Sequence, residues 1–444
     1  MPTTINIKAF IDSRPISARQ WILVALCCLV VFADGMDVAI MGFVAPSILA
    51  DWGVSRPEFG IVMSAAPLGL VVGALIAGPS SDRFGRKPVL IASVLMFAVF
   101  TLAASFAGSV TALVLLRFLA GAGMGAAMPQ TSTLLSEYAP QPRRSLLITI
   151  MFTGFNLGSA AIGFVAAYLI PLFGWRAVLV FGGVMPLALV PVLMALLPES
   201  ARLLALRGAP SNVVSRHLGR AVGARFTGDE HFASETNSQT YRQPVSTLFS
   251  NGYSMTTIGL WLTYFMGLMV IYLLTGWLPT LMKDAGLSIT TAANVTALFQ
   301  VGGTIGAILV GWAMDRSRPA RIIALAYLLG AVSIIGLAGT GALSPALGAI
   351  VFVAGFCMSG AQTGLNAFAP GCYPTSARAT GVSWMLGIGR FGSILGSYVG
   401  GALLGLGWSF AAILGLLAIP AGLAALAIFA TSHRRADAAE VAVA

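Results

Sequence analysis

Charged side chains are scarce in this sequence. Asp, Glu, Lys and Arg make up 9% of its 444 residues, whereas soluble domains carry about 25%. Hydrophobic residues make up 57%. So little charge cannot give a globule a solvated surface, which excludes a soluble protein and predicts an integral membrane protein. Polar residues 2–20 lead directly into a long apolar stretch, so we expect no cleavable signal peptide.

Histidine and cysteine are also rare. The three histidines lie in polar stretches, and the four cysteines lie in or beside apolar ones without the spacing of a zinc site or a disulfide framework. The sequence contains neither a phosphate-binding loop of the Walker type nor a catalytic triad. We therefore expect no metal, no cofactor and no enzymatic activity, and the sequence disfavours an ATP-driven pump.

Twelve apolar stretches reach the roughly 20 residues that a helix needs to cross a bilayer. They predict an all-α integral membrane fold with twelve transmembrane helices at 20–44, 58–78, 88–107, 110–134, 145–170, 175–197, 253–281, 289–313, 321–340, 344–369, 379–404 and 408–430. The chain would then consist of a tail, a six-helix bundle, a polar linker, a second six-helix bundle and a tail, at 1–19, 20–197, 198–252, 253–430 and 431–444.

Positive charge is distributed unevenly between the two sides of these spans. Twenty of the 25 Lys and Arg residues lie in the two tails, the linker and every second loop, and only three lie in the other loops. The positive-inside rule therefore predicts that both tails and the linker are cytoplasmic. The net charge of +10 is a topology signal, with anionic lipids as partners and no nucleic-acid partner expected.

The two halves of the chain resemble each other. Asp82-Arg83 after the second span recurs as Asp315-Arg316 after the eighth. Two related six-helix halves with a cytoplasmic linker are typical of transporters whose site lies near the middle of the membrane. A channel would not require this duplication.

Two acidic residues lie inside the first span. Asp34 and Asp37 share one helix face because they are three residues apart, and each charge costs about 2.5–3.5 kcal/mol near the bilayer centre. Arg117, inside the fourth span, is charged at every relevant pH and is their expected partner. A carboxylate that alternates between arginine and a proton would couple proton entry to transport. A static pair that only joins helices is the alternative.

A second arginine, Arg390, lies deep in the eleventh span, where no acidic residue of the C-terminal spans is near it. This placement suits an anionic substrate, and pairing with Asp34 or Asp37 is the alternative. Trp384 on the same span and Tyr264 on the seventh are candidate aromatic walls. Amide side chains inside the spans could bind ring hydroxyl groups or equally bridge helices, namely Gln130, Asn156, Gln300, Gln362 and Asn366.

Charged residues also cluster in the loop between the second and third spans. Gly85 permits a tight turn, and Asp82 can pair with Arg86 or accept hydrogen bonds at a helix N-terminus. Such a cluster can hold two helical bundles together in one conformation and release them in another. An ordinary charged turn is the alternative. Glu137, which closes the fourth span beside Arg143 and Arg144, is a further gating candidate.

These motifs together resemble the major facilitator superfamily over nearly the whole chain. Asp82-Arg-Phe-Gly-Arg-Lys87 and the glycine-rich stretch that begins at Arg117 are both superfamily motifs. Within it, Asp34-Gly-Met-Asp37 and Tyr373-Pro-Thr-Ser-Ala-Arg-Ala-Thr-Gly381 resemble the aromatic acid:proton symporter family, with the bacterial 4-hydroxybenzoate/protocatechuate transporters as the nearest likeness.

The resemblance implies a monomeric, proton-driven importer of aromatic carboxylates in the inner membrane. The functional positions of the family that match are Asp34, Asp37, Asp82, Gly85, Arg117, Glu137, Asp315, Arg378 and Arg390. Gln130 stands where asparagine is expected after Pro129. The alternative functions are a proton-antiport exporter of aromatic acids or drugs, which the missing Gly-Pro pattern of the fifth span disfavours, and a membrane sensor without turnover.

Overall fold

The computed structural model describes residues 4–224, 226, 230–233, 248–249, 253–340, 344–373 and 375–441. The described chain is almost entirely helical. Its elements are β1 (Thr4–Asn6), α1 (Ile7–Asp12), α2 (Ala18–Trp52), α3 (Arg56–Phe84), α4 (Arg86–Ala104), α5 (Val110–Tyr138), α6 (Arg144–Phe173), α7 (Trp175–Leu196), α8 (Ala201–Leu206), α9 (Ser211–Val222), β2 (His231–Ala233), α10 (Ser254–Asp284), α11 (Ile289–Arg316), α12 (Pro319–Thr340), α13 (Leu347–Phe368), α14 (Thr375–Gly405) and α15 (Phe410–Val441).

Eleven of the described helices, α2–α7, α10–α13 and α15, are long and apolar enough to cross a membrane. The remaining predicted span corresponds to α14, whose 31 residues exceed the required length. The predicted all-α membrane fold is confirmed, and the chain is a multi-pass membrane protein. The helices extend beyond the predicted spans, as α2 shows by continuing through Pro46 to Trp52. Proline does not end a helix in a membrane protein when neighbouring groups satisfy the freed carbonyl.

The N-terminal segment and the segment after α7 form a small subdomain together. β1 pairs with β2 in parallel, with Thr4 opposite His231. The ring of Phe226 lies 5.4 Å from that of Phe10 and 5.3 Å from that of Phe232. Residues predicted as a separate tail and linker are therefore joined by backbone hydrogen bonds and an aromatic cluster.

The chain divides into two compact units whose boundaries cut through helices. Unit 1 comprises residues 1–38, 68–158 and 179–239, and unit 2 comprises 39–67, 159–178 and 240–444. The helices α2, α3, α6 and α7 therefore each contribute to both units. The division into two six-helix bundles at residues 198–252 stays a prediction.

Glycines allow the helices of unit 1 to approach one another closely. A Cβ added at Gly69 or Gly73 of α3 would overlap the backbone of α5, and one at Gly125 of α5 would overlap the backbone of α3 at Leu70. Close approach matters in a membrane because lipid tails are as apolar as side chains, so helices associate through van der Waals packing.

This packing predicts different effects of alanine at two glycines of the same helix. Gly73→Ala is expected to lower the free energy of unfolding by about 1–3 kcal/mol, because the new methyl group meets the backbone at Ala122. Gly78→Ala is the matched control, since nothing lies within 4 Å of that position. Thermal unfolding of the purified variants in detergent measures both, and equal melting temperatures would contradict the assigned packing.

Candidate functional site

A fully buried ion pair joins α2 and α5 within unit 1. Arg117 Nη2 lies 2.8 Å from Asp37 Oδ2, and Nη1 lies 3.1 Å from Oδ1, with neither side chain exposed. Nη2 also donates to the carbonyl oxygen of Asp37 at 3.0 Å. Thr101 of α4 donates to Asp37 Oδ1, and its hydroxyl accepts from Arg117 Nη1 at 3.3 Å. One charge-assisted network thus connects three helices.

Asp34 lies one turn before Asp37 on α2 and is also buried, with 2% of its surface exposed. Helix α6 packs closely beside it, because a Cβ at Gly35 would overlap the backbone of Phe155 and one at Gly158 would overlap that of Phe32. The prediction that Arg117 pairs with an aspartate of the first span is confirmed for Asp37.

The buried pair is stable only while both charges are compensated. Removal of one partner from a buried pair typically costs about 3–5 kcal/mol because the other charge is left uncompensated. The guanidinium of Arg117 also has acceptors other than the Asp37 carboxylate. The Thr101 hydroxyl and the Asp37 carbonyl oxygen are two such acceptors already in contact with the guanidinium.

The predicted charged loop forms a cluster around Arg86 at the start of α4. Arg86 Nη1 lies 3.3 Å from Asp82 Oδ1, which confirms that pair, and donates to Ser81 Oγ at 2.9 Å. Arg86 Nε lies 3.6 Å from Glu137 Oε1. Glu137 lies in the last turn of α5, which ends at Tyr138, and its gating role stays a prediction.

Glu199, which follows α7, completes this cluster and was not singled out by the sequence interpretation. Its Oε1 accepts from the backbone N–H groups of Arg86 at 2.9 Å and Ser200 at 2.8 Å, so the carboxylate caps the N-terminus of α4. Tyr138 OH donates to the Glu199 carbonyl oxygen. Gly85 has φ +108° and leaves room for the Glu199 carboxylate, which a Cβ would overlap. The position of Glu199 directly after a span was the available signal.

His217 of α9 also contacts Glu199, through its backbone. Its Nδ1 accepts a hydrogen bond from the backbone N–H of Glu199 at 3.1 Å, so the neutral imidazole is the form that fits. Partial burial lowers the pKa of His217, Glu199 opposes this shift, and Arg220, Lys87 and Arg216 add to the lowering.

The lowered pKa predicts that acidification destabilises this part of the protein. The unfolded chain binds more protons than the folded one between the folded pKa and about 6.5, so stability rises with pH through this window and is lost as pH falls through it. His217→Asn keeps an acceptor oxygen but cannot titrate. Melting temperatures at about pH 5.5 and 7.5 are expected to differ more in the parent than in this variant. Identical pH slopes would contradict the assignment.

Unit 2 contains Arg390 of α14 within a cluster of polar side chains. Tyr264 of α10 is 7% exposed and neighbours Arg390, Gln362 and Asn366. A Cβ at Gly389 would overlap the Tyr264 ring, so α14 approaches α10 closely here. Arg390 is therefore not isolated in the span, because it interacts electrostatically with Tyr264.

The tryptophan candidate and the two amide candidates have different surroundings. Trp384 of α14 is 43% exposed and stacks on Trp261, with ring centroids 5.9 Å apart and an interplanar angle of 22°. In unit 1, Gln130 Nε2 donates to the Ala77 carbonyl oxygen at 3.1 Å and bridges α5 to α3. Asn156 is half-buried on α6. Their roles in substrate binding stay predictions.

The gating candidates of the second half are less defined. Asp315 is exposed near the end of α11, where Arg316 lies over the ring of Trp312 at 4.0 Å. Arg378 belongs to the first turns of α14, and its side chain lies outside the described residues. The second-half loop therefore gives no counterpart of the Arg86 cluster among the described side chains.

The long apolar helices and the buried ion pair are features of a multi-pass membrane protein. The family model of the Major Facilitator Superfamily matches residues 27–341 and 260–442. The chain belongs to this superfamily, as its motifs predicted, and its family and relatives are transporters rather than enzymes.

The relatives sharpen this classification. A gallate transporter of Pseudomonas putida is 55% identical over 97% of this chain and 96% of its own length. The 4-hydroxybenzoate transporter PcaK of Pseudomonas aeruginosa is 50% identical over 96% and 95%. A D-xylose-proton symporter of known structure has a TM-score of 0.72 at 17% identity, covering 92% of this chain and 97% of that one, which shows the shared fold.

Proposed function

We propose that this protein imports hydroxylated aromatic carboxylates, such as 4-hydroxybenzoate or gallate, together with protons. The observation that carries the proposal is the identity of 55% and 50% to transporters named for these compounds over nearly the whole chain. The protein would lie in the inner membrane with both termini in the cytoplasm, as the distribution of Lys and Arg predicts. The proton gradient would take the place of a cofactor.

Proton coupling is supported by the Asp37–Arg117 pair. A proton that reaches Asp37 neutralises the carboxylate and weakens its bonds to the guanidinium, which Thr101 then shares. Because these residues lie on α2, α5 and α4, the change alters contacts among three helices at once. Protonation thereby acts on helix packing and not on one side chain alone.

Substrate binding is assigned to Arg390, because a guanidinium is suited to bidentate binding of a carboxylate. Tyr264 and the stacked Trp261–Trp384 pair supply aromatic surface within the same unit. The Arg86 cluster, with Asp82, would govern the conformational change by forming and releasing its ion pairs. Alternating access follows from such a cycle.

Uptake into proteoliposomes tests the proposal. An inward proton gradient is expected to drive accumulation of labelled 4-hydroxybenzoate or gallate, and a protonophore is expected to abolish it. Protein-free liposomes control for diffusion of the neutral acid. Accumulation that the protonophore leaves unchanged would contradict proton coupling. Loss of preloaded substrate driven by the proton gradient would identify an exporter.

The variant Asp37→Asn tests whether Asp37 is needed for proton coupling but not for substrate binding. The variant is expected to lose at least tenfold in gradient-driven accumulation while it still exchanges labelled for unlabelled substrate, because exchange needs no net proton movement. A tenfold loss corresponds to about 1.4 kcal/mol. The matched control is Asp51→Asn on the same helix, where Asp51 is half-exposed and bonds Trp175 Nε1 at 3.1 Å. Retained accumulation in Asp37→Asn with loss in Asp34→Asn would assign the proton to Asp34 instead.

A further inference from the structure

The buried glutamines of the membrane helices differ in how their amides are satisfied. Gln300 of α11 is 3% exposed, and its Nε2 donates to Thr275 Oγ1 at 3.0 Å. Gln362 of α13 is 6% exposed, and its Nε2 makes no hydrogen bond of ordinary distance and angle within the part of the chain that the structure describes. The Tyr264 hydroxyl lies near this nitrogen and can accept from only one of its two N–H groups. A buried donor without an acceptor is costly in a protein interior. Gln362 therefore offers a hydrogen bond that a bound molecule can use.

The other end of the same amide is held in place. Tyr327 of α12 is fully buried, and its hydroxyl donates to Gln362 Oε1 at 2.6 Å. The amide cannot rotate without breaking this bond. Tyr327 thus fixes the direction in which the free Nε2–H group points.

Helix α10 leaves room for this arrangement. A Cβ added at Gly267 would overlap both Gln362 Oε1 and the Tyr327 hydroxyl. Glycine at this position allows the tyrosine and the amide to reach each other against the helix. Three helices thereby shape the environment of one amide group.

The free donor and the arginine share a neighbour. Tyr264 interacts with both residues, electrostatically with Arg390 and through its hydroxyl with Gln362, so a charged donor and a neutral donor both act on the same tyrosine. A guanidinium suits a carboxylate, whereas a neutral amide N–H suits a neutral oxygen. A benzoate with a hydroxyl group on its ring presents both kinds of acceptor.

We propose that Gln362 Nε2 donates a hydrogen bond to the ring hydroxyl oxygen of the substrate, and that Tyr327 is the positioning residue that aims it. Gln362 would then determine specificity for hydroxylated over unsubstituted benzoates. The inference rests on the proposed transport of aromatic carboxylates and names the feature of the substrate that the site selects.

Gln362→Met tests the proposal, because methionine has nearly the same size and no amide. The KM for 4-hydroxybenzoate is expected to rise about tenfold, roughly the contribution of one hydrogen bond, while the KM for benzoate stays the same. The matched control is Gln300→Met, which removes an equally buried amide that already has a partner. This control is expected to leave the ratio of the two KM values unchanged.

Tyr327→Phe tests the positioning role without removing the amide. The KM for 4-hydroxybenzoate is expected to rise by a smaller factor than in Gln362→Met, again with benzoate unaffected. The double variant is expected to be no worse than Gln362→Met alone, since the tyrosine acts only through the amide. Additive effects of the two substitutions would overturn the positioning role.

The outcomes separate this inference from the function on which it rests. Equal changes for benzoate and 4-hydroxybenzoate in Gln362→Met, or the same ratio change in Gln300→Met, would overturn the inference and leave aromatic acid transport intact. Absence of uptake of any aromatic acid by the unaltered protein would refute the proposed function and the inference with it. If Gln362→Met does not fold, an unchanged KM ratio in Tyr327→Phe is sufficient to overturn the inference.

Discussion

The buried pair of Asp37 and Arg117 is the constraint on which the N-terminal helices depend. Neither side chain is exposed, and a membrane offers no water to replace a lost partner. The guanidinium therefore fixes the relative positions of α2, α4 and α5 through its bonds to Asp37 and Thr101. Removal of either partner would leave the other charge uncompensated, so the pair holds the three helices in this packing.

The cluster around Arg86 shows the same principle outside the apolar interior. Its carboxylates differ in role, because Asp82 and Glu137 face the arginine side chain whereas Glu199 binds backbone N–H groups at the start of α4. Glu199 belongs to the chain that leads into α8 and α9. The segment after α7 is thereby fastened to the Arg86 cluster and is not merely a tether.

The sequence predicted the pairs that involve rare groups and missed those that involve common ones. Few charges occur inside the spans, so Arg117 had few possible partners, and Asp37 was one of two. Thr101 could not be predicted because hydroxyl groups are frequent in membrane helices. The position of Glu199 directly after a span was a signal, but its contacts could not be predicted because backbone groups are its main partners. The three-residue strands β1 and β2 are too short to show an alternating pattern.

The amide groups show why residue type alone does not identify a binding residue. Gln130, Gln300 and Gln362 are all buried in membrane helices. The first two donate hydrogen bonds from their side-chain amides to residues of other helices. Only the hydrogen-bonding partners separate a glutamine that joins helices from one that is available to a ligand. For Gln362 the decisive contact is made by Tyr327, a residue that has no charge and lies on a helix with no predicted site residue. Specificity for a neutral hydroxyl group can therefore depend on a side chain that never touches the substrate, because it determines which atom of the amide faces the ligand.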